Sequence, residues 1–546
     1  MEIVESLKKT SLVGGALLGA LATLPLMALS YLGAQLYALP FVPFDIFDWL
    51  ARILPGGVIT FVIDKMVSVI TALNLGETSS VAKLVEQGLA LVQLVAIGAL
   101  VGLALAAINR GHNQVLRVYG LLAGVVLTVS TLLVESSLGF PSVGVLPSIL
   151  WVTALYIAWG LGLAWLIENA GPALAASSGA EMSRQEFLRV SGVGIAAVTL
   201  GAWGLGRLFG RRGAAVGSAD VVSPTPLPGD PYGTQLTSGP AASPSLEELN
   251  ARLAPVPGTR PELTSNEDFY RIDINTLPQA IDGESWRLKV TGLVDREREF
   301  TLAELRAFPA VSQILTMQCI SNRIAGDLTG ATRWTGARLK DVLAEVGMRE
   351  GARALYIEAV DGFYETVSFD DLLDDRTLLV YEMNGVPLPV EHGYPLRVYI
   401  PNRYGMKQPK WITSMEVVDE HVDGYWVVRG WDPEAYVQTV SVIDSAVQVD
   451  ENGGTILVGG MAWAGARGVG KVEVQVNNAD WHEAELISPA LSPLSWVLWR
   501  LELPYEAGRY SFRVRAYDGD GQIQEEAVTP PHPDGATGLH QMAVRL

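Results

Sequence analysis

Cysteine is almost missing from this chain: Cys319 is the only one in 546 residues. One thiol excludes an intramolecular disulfide, a CxxC redox pair, a c-type haem attachment and a four-cysteine iron–sulfur site within this sequence. Taken alone, it reads first as a small buried apolar side chain. Its second reading is a soft thiolate ligand to a metal whose other ligands come from elsewhere. Positive charge is the other shortage, with 39 Lys+Arg against 58 Asp+Glu and a net charge of −19. The deficit is uneven, because residues 1–212 hold 11 acidic and 12 basic side chains, and the acidity all lies beyond them. A globular part this acidic excludes recognition of nucleic acid through a broad basic face. Its plainest meaning is solubility. Nor is there an internal repeat of solenoid type.

Long apolar runs are gathered at the N-terminal end. Ser11–Pro40, Gln87–Ile108, Val115–Val134 and Val143–Ile167 are each long enough to cross a bilayer, and Gly192–Phe209 is a shorter run of the same kind; crossing takes about 20 residues. Further spans follow the first, so it is not expected to be a cleaved signal peptide. Gly57–Leu75 is also apolar, but Asp64 and Lys65 at its centre are costly in hydrocarbon. Placed instead at the interface beside the aromatic-rich Phe41–Trp49, it leaves Lys8, Lys9, Arg110, Arg117, Arg184 and Arg189 all on one side of the membrane. That is what the positive-inside rule asks. This arrangement predicts an all-α transmembrane domain over residues 1–212, with five spans and the N-terminus inside. Everything after Arg212 is then extracytoplasmic, anchored to the cytoplasmic membrane. Six spans is the alternative. Ser183–Arg189, followed by the apolar run from Val190, resembles a twin-arginine (Tat) export signal in which Gln185 replaces the second arginine. A basic flank on an ordinary membrane helix reads the same way.

Residues 213–264 are rich in Pro, Gly, Ser and Ala and read as a linker, with room for a short helix at Leu246–Leu253. Residues 265–430 alternate strand and helix signals and predict a mixed α+β domain. Trp286–Val290, Ala354–Val360, Leu378–Tyr381 and Leu396–Ile400 read as strands, and Thr301 and Glu304 form a capping box. Leu339, Val342, Leu343 and Val346 carry helical spacing. From 431 to 546, short strands at regular spacing with Asn477-Asn478 and Asp518–Gly521 as turns predict an immunoglobulin-like β-sandwich, without its cysteine pair.

Within 265–430 several segments hold candidate chemistry. Asn266 precedes the aromatic pair Phe269 and Tyr270, which alone would be a turn. Cys319-Ile320-Ser321-Asn322-Arg323 is followed by Arg333-Trp334-Thr335-Gly336. Asp361-Gly362 is by itself a turn signal. Last come His392-Gly393-Tyr394-Pro395-Leu396-Arg397 and Pro401–Trp411, the latter containing Gln408, Pro409 and Lys410. A His–Arg pair such as His392 and Arg397 is by itself usually structural, although Arg and Lys on adjacent loops, as with Arg397 and Lys410, can converge on one anionic group.

Taken together these segments resemble the sulfite oxidase family of molybdopterin oxidoreductases, over roughly residues 265–546. The resemblance implies a sulfite-oxidase-type fold and a molybdenum–molybdopterin cofactor (Moco). Cys319 would bind the metal. Asn266, Phe269, Tyr270, Asn322, Asp361, His392, Arg397, Gln408, Pro409 and Lys410 would hold the pterin and its phosphate. Arg323, and less directly Arg271, would be the substrate-side cations. The strand domain resembles the family's dimerisation domain, through Gly459–Gly465 and Trp481, so a homodimer is expected.

Two departures bear on substrate. Sulfite oxidases proper have a second arginine where Ile324 stands, and an active-site tyrosine near the position of Trp431. The expected activity is oxygen-atom transfer to or from a small substrate. S- or N-oxide reduction within the same family is the alternative. From another class, the rival is a non-catalytic cell-surface binding protein with a relic molybdopterin fold. Retention of Cys319, Asn322, His392, Arg397 and Lys410 together argues against it. With no haem or iron–sulfur motif in the chain, electrons are expected to pass to a quinone or cytochrome partner.

Overall fold

A computed structural model of the chain describes residues 9–111, 116–139, 144–174, 184–209, 252–449 and 454–546. Ser183 of the export-like motif, most of the expected linker and most of Leu246–Leu253 lie outside these residues. The chain divides into two compact units. The first comprises Met1–Leu54, Ala82–Ala215 and Asn275–Leu277; the second comprises Pro55–Val81, Val216–Ile274 and Pro278–Leu546.

The N-terminal helices are α1 (Leu12–Tyr37), α2 (Val42–Ile53), α3 (Gly56–Ala72), α4 (Thr78–Gly111), α5 (Leu116–Leu138), α6 (Val145–Leu174), α7 (Arg184–Leu188) and α8 (Gly194–Phe209). A π-helical turn, Arg189–Val193, joins the last two. Among the described residues, five stretches are long and apolar enough to cross a membrane, namely Leu12–Tyr37, Thr78–Arg110, Leu116–Leu138, Val145–Ala170 and Gln185–Phe209. A sixth arises only if α2 and α3 are taken as one broken span. In lipid, helices associate through close packing rather than through expulsion of water, and the sequence supplies small residues at the crossings. A Cβ on Gly19 of α1 would stand 2.1 Å from the Gly98 carbonyl oxygen of α4. One on Gly120 of α5 would stand 2.4 Å from Gly160 O of α6.

In the second unit, β1 (Leu288–Gly292), β2 (Arg298–Phe300), β5 (Ala354–Ala359), β6 (Tyr364–Ser368) and β10 (Ile412–Val418) form one sheet in the order β2-β1-β10-β5-β6. The β1–β10 pair is parallel. The short helices α9 (Leu302–Arg306), α10 (Leu339–Val346) and α11 (Phe369–Leu373) accompany it. The α9 capping box is formed, with Glu304 N donating to Thr301 Oγ1 at 3.1 Å and Thr301 N donating to Glu304 Oε2 at 2.8 Å. Leu339, Val342, Leu343 and Val346 of α10 are all buried, as their spacing requires. They share a core with Leu288, Leu355 and Met415, where each such side chain contributes about 1.5–3 kcal/mol of hydrophobic stabilisation.

A second sheet runs β3 (Ala310–Gln318), β4 (Thr329–Arg338), β7 (Leu378–Met383) and β8 (Val386–Pro387), with β9 (Arg397–Tyr399) also pairing with β7. This sheet carries the candidate site. β3 and β4 are antiparallel with Gln313 opposite Trp334, and Trp334 in turn faces Met383 of β7.

The C-terminal strands are β11 (Val440–Val449), β12 (Thr455–Trp463), β13 (Val469–Val476), β14 (Trp481–Leu486), β15 (Val497–Pro504), β16 (Arg509–Asp518) and β17 (Gln541–Arg545). Here the architecture differs from the expected two-sheet immunoglobulin-like sandwich. The seven strands follow one hydrogen-bonded order, β11-β12-β15-β14-β13-β16-β17, and curl toward a nearly closed barrel. The cause is β14, whose first residues pair with β13 while Glu485 and Leu486 pair with β15, so the two halves stay joined. The stretch expected as linker up to residue 264 also ends earlier. Arg252 pairs with Glu262 at 2.6 Å, Arg260 with Asp444 at 2.6 Å, and Val256 packs at the place a Cβ on Gly459 would occupy.

Candidate cofactor and active site

Cys319 follows directly on β3 and is buried. Its backbone N–H donates to Leu328 O at 3.0 Å, and its Sγ lies 3.0 Å from Ser321 Oγ. Burial pushes the thiol pKa up, and the Ser321 hydroxyl only partly offsets this. A bare thiol here therefore stays protonated at neutral pH, and a bound cation is what would make it a thiolate. Asn322 shapes the turn: its N–H donates to Cys319 O at 3.0 Å, and its Oδ1 accepts from Leu328 N at 3.0 Å. Among the described residues no three His, Cys, Asp or Glu side chains come together as metal ligands. A metal at Cys319 would thus need the rest of its ligands from a cofactor.

Beside the thiol lies an aromatic and cationic nest. Phe269 stacks on Tyr270 at 5.3 Å between ring centroids and meets Trp334 and His392 edge-on, each at 5.5 Å. Trp334 is fully buried, and the Arg397 guanidinium carbon stands 4.9 Å from its ring centroid. Arg397 donates to His392 O at 3.1 Å and reaches Met317 Sδ at 3.3 Å. Its burial pulls its pKa down to about 10. His392 Nε2 lies 3.0 Å from the Asn266 carbonyl, which can only accept, so the proton sits on Nε2. Burial, reinforced by the Lys410 charge, pulls the His392 pKa down to about 3 and keeps the ring neutral. Asn266 is fixed by Asn384 Nδ2, which donates to its Oδ1 at 2.9 Å.

Lys410 sits across from Arg397 in an isolated antiparallel bridge. Its ammonium donates to Glu391 O at 2.9 Å and pairs with Asp273. Burial brings its pKa down to about 8 despite that partner. The glycine between His392 and Tyr394 is required here. Gly393 has φ +110, and a Cβ on it would stand 3.1 Å from Lys410 Cβ and 3.2 Å from Arg397 Cβ. Gln408 donates through Nε2 to Arg403 O at 2.9 Å, and the Pro409 carbonyl accepts from Val398 N at 3.0 Å. Asp361 Oδ1 accepts from Phe363 N at 3.0 Å, which closes its own turn.

In and beside the nest, Trp334 Nε1, Arg397 Nε, Gln318 Oε1 and Gln408 Oε1 are buried with no hydrogen-bond partner among the described residues. Each costs about 1–3 kcal/mol unless a ligand or water meets it. Donors, acceptors, an aromatic wall and two cations beside a lone thiol fit a phosphorylated pterin with a soft metal. The Asn266, Phe269, Tyr270, His392, Arg397 and Lys410 set comes together as expected.

The two expected substrate-side cations fare differently. Arg271 pairs with the fully buried carboxylate of Asp273, 2.5 Å from Nη2, and so shares the carboxylate that holds Lys410. That tie sets Arg271 beside Lys410, with its charge met by a carboxylate. Arg323 makes no ion pair among the described residues and donates through Nη2 to Ser68 Oγ at 2.8 Å. Sequence reasoning missed Asp273, although its place two residues after Arg271 was a signal. It also missed the buried Lys407–Glu365 pair at 2.7 Å, which braces the strand-to-turn segment before Gln408. Ile324 and Trp431 both join one apolar cluster with Ile320, Tyr404 and Met406.

Residues 275–426 match the family described as oxidoreductase molybdopterin binding domain. The chain is 30% identical over 362 residues to mitochondrial sulfite oxidase of Rattus norvegicus, covering 57% of this chain and 66% of that protein. It thus spans about two thirds of that relative's length. It is also 30% identical over 175 residues to the uncharacterized oxidoreductase YuiH of Bacillus subtilis (strain 168), covering 31% of this chain and 84% of YuiH. A solved chain in the crystal structure of the sulfane dehydrogenase SoxCD from Paracoccus pantotrophus is 19% identical with a TM-score of 0.47, covering 58% of this chain and 95% of that one. With the molybdopterin-binding match over 275–426 and the two sequence relatives, the chain belongs to the sulfite oxidase family of molybdopterin-dependent oxidoreductases.

Proposed function

We propose that the protein is a membrane-anchored molybdenum-cofactor oxidoreductase that moves an oxygen atom to or from a small substrate on the extracytoplasmic face. The observation that carries this reading is the set of unsatisfied buried atoms on Trp334, Arg397, Gln318 and Gln408 in the unit that buries Cys319. When bound, Moco supplies the two-electron oxo chemistry. The chain's own part is to hold it: Cys319 toward the metal, Phe269 and Trp334 against the pterin, and His392, Arg397 and Lys410 toward its phosphate. Arg323 lies in the turn after the thiol and is the cation that meets an oxyanionic substrate.

Five apolar helices support the membrane anchor, and α3 supports five spans rather than six. It belongs to the second compact unit and carries Asp64 and Lys65. Electrons pass between the site and a quinone in the bilayer or a cytochrome, and the strand domain pairs two copies. The test is the metal itself. Purified protein from a cofactor-competent host should contain molybdenum and pterin near one per chain, and Cys319→Ser should lose at least tenfold of its turnover. Wild-type protein without molybdenum defeats the enzyme reading.

The apolar cluster favours a second reading, S- or N-oxide reduction. Ile324 and Trp431 replace a cation and a phenol with hydrocarbon and indole, which suits a less charged substrate with an apolar portion. Turnover on a panel of sulfite, sulfoxides and N-oxides, with artificial electron donors and acceptors, separates the two.

A further inference from the structure

Arg323 is set in a tight turn. Its carbonyl accepts from Gly326 N at 2.9 Å, Ala325 adopts φ +61, and Asn322 closes the preceding bonds. From this turn the side chain reaches α3, some 255 residues earlier in the sequence, where Nη2 donates to Ser68 Oγ at 2.8 Å and to Asp64 O at 3.3 Å. Ser68 donates its own proton to Asp64 O at 2.5 Å. The serine oxygen is therefore an acceptor toward the arginine, and one carbonyl and one hydroxyl form a neutral fork around one guanidinium nitrogen.

Two features make this more than a passing contact. First, the segment that bears Ser68 is docked along its length within the same compact unit as Arg323. Gly56 lies so close to Arg429 that a Cβ would stand 2.7 Å from its Cα. Thr78 N donates to Asp327 Oδ2 at 2.7 Å, and Arg271 N to Ser79 Oγ at 3.3 Å. Arg323 and Asp327 both belong to the turn that follows Cys319, so that turn is gripped twice. Second, the partners of Arg323 are uncharged. Arg271, Arg260 and Arg403 each face a carboxylate, whereas Arg323 faces none among the described residues. The clamp fixes the guanidinium yet leaves its charge uncompensated and its Nε and Nη1 without a protein acceptor among those residues. A preorganised planar cation with an open edge suits an oxyanion.

We propose that Ser68, with the Asp64 carbonyl, is a positioning residue for Arg323, and that α3 thereby sets the affinity of the site for small oxyanions. This rests on the reading of Arg323 as the substrate-side cation. A clamped arginine does not give up rotamer freedom when the anion arrives, so loss of the clamp weakens binding without disturbing the cofactor.

Sulfate serves as an inert probe, titrated calorimetrically into detergent-solubilised holoprotein. Ser68→Val should weaken sulfate binding about fivefold to tenfold, the cost of immobilising one freed arginine side chain on binding. Ser68→Thr, of the same shape with the hydroxyl kept, should stay within about twofold of wild type. Arg323→Gln should weaken it at least as much as Ser68→Val. Molybdenum and pterin content should be equal in all four proteins, and hydrogen exchange at the Asn322–Gly326 amides should quicken in Ser68→Val alone of the two serine variants. If Ser68→Val and Ser68→Thr bind sulfate alike while Arg323→Gln loses it, the positioning role is overturned and the arginine reading stands. If Arg323→Gln binds sulfate as wild type does, the arginine reading itself falls.

Discussion

Lys410 is pulled two ways at the scale of a single residue. Burial favours its neutral form and brings its pKa to about 8, while Asp273 favours the ammonium. Its folded pKa lies below the ordinary 10.5, so between those values the unfolded chain binds more protons than the folded one. Stability of the cofactor-free fold therefore gains from this group as the pH rises from about 8 toward 10.5. Anion affinity runs the other way, because the charge that a phosphate needs is being lost. Cofactor-free protein should bind inorganic phosphate about tenfold more weakly at about pH 9.5 than at about pH 7.5, and Lys410→Arg should remove most of that slope. Equilibrium titration at the two pH values checks both statements. His392 adds no slope near neutrality, since its pKa is drawn down to about 3 and the ring stays neutral there.

Among the elements, the bend from the 3₁₀ turn Val390–His392 into β9 decides whether the two cations can face one ligand. Gly393 is where that bend is made. Gly393→Ala must adopt φ +110 and push on both Lys410 and Arg397 Cβ atoms, a cost of about 1–3 kcal/mol. The expected outcome is a folded protein with markedly reduced pterin content, checked by cofactor release and fluorescence. Elements whose rules are local were legible in the sequence. Thr301 and Glu304 announced their capping box, and Leu339, Val342, Leu343 and Val346 announced α10, because each depends only on neighbours three or four residues away. That Arg397 and Lys410 stand on neighbouring segments was also legible, being a short-range return of the chain. What was not legible depends on distant register. The strands of the C-terminal domain could be read, but the double pairing of β14 that joins them could not. Nor could Ser68 be assigned a role, since a serine in an apolar helix carries no local signal of an arginine 255 residues away.

At the level of the whole molecule, charge is distributed as the proposed topology requires. The near-neutral helices suit lipid, and the acidity beyond residue 212 suits an aqueous compartment. The proposed topology makes a sharp statement about sidedness. In a Cys319→Ser background, a cysteine at the exposed Ser285 should react with a membrane-impermeant maleimide on intact spheroplasts, and one at Lys9 should react only after lysis. Labelling in the reverse sense would place the catalytic domain in the cytoplasm. The same chemistry gives the cofactor-free chain a built-in clock. Its one thiol is 9% exposed, beneath the turn held by Asn322 and Arg323. In cofactor-free protein a reagent meets that sulfur as the turn opens, and one mass increment per molecule counts the openings. Alkylation half-time of the purified cofactor-free protein then measures how long the turn stays shut, and a metal bound at the sulfur should abolish the reaction.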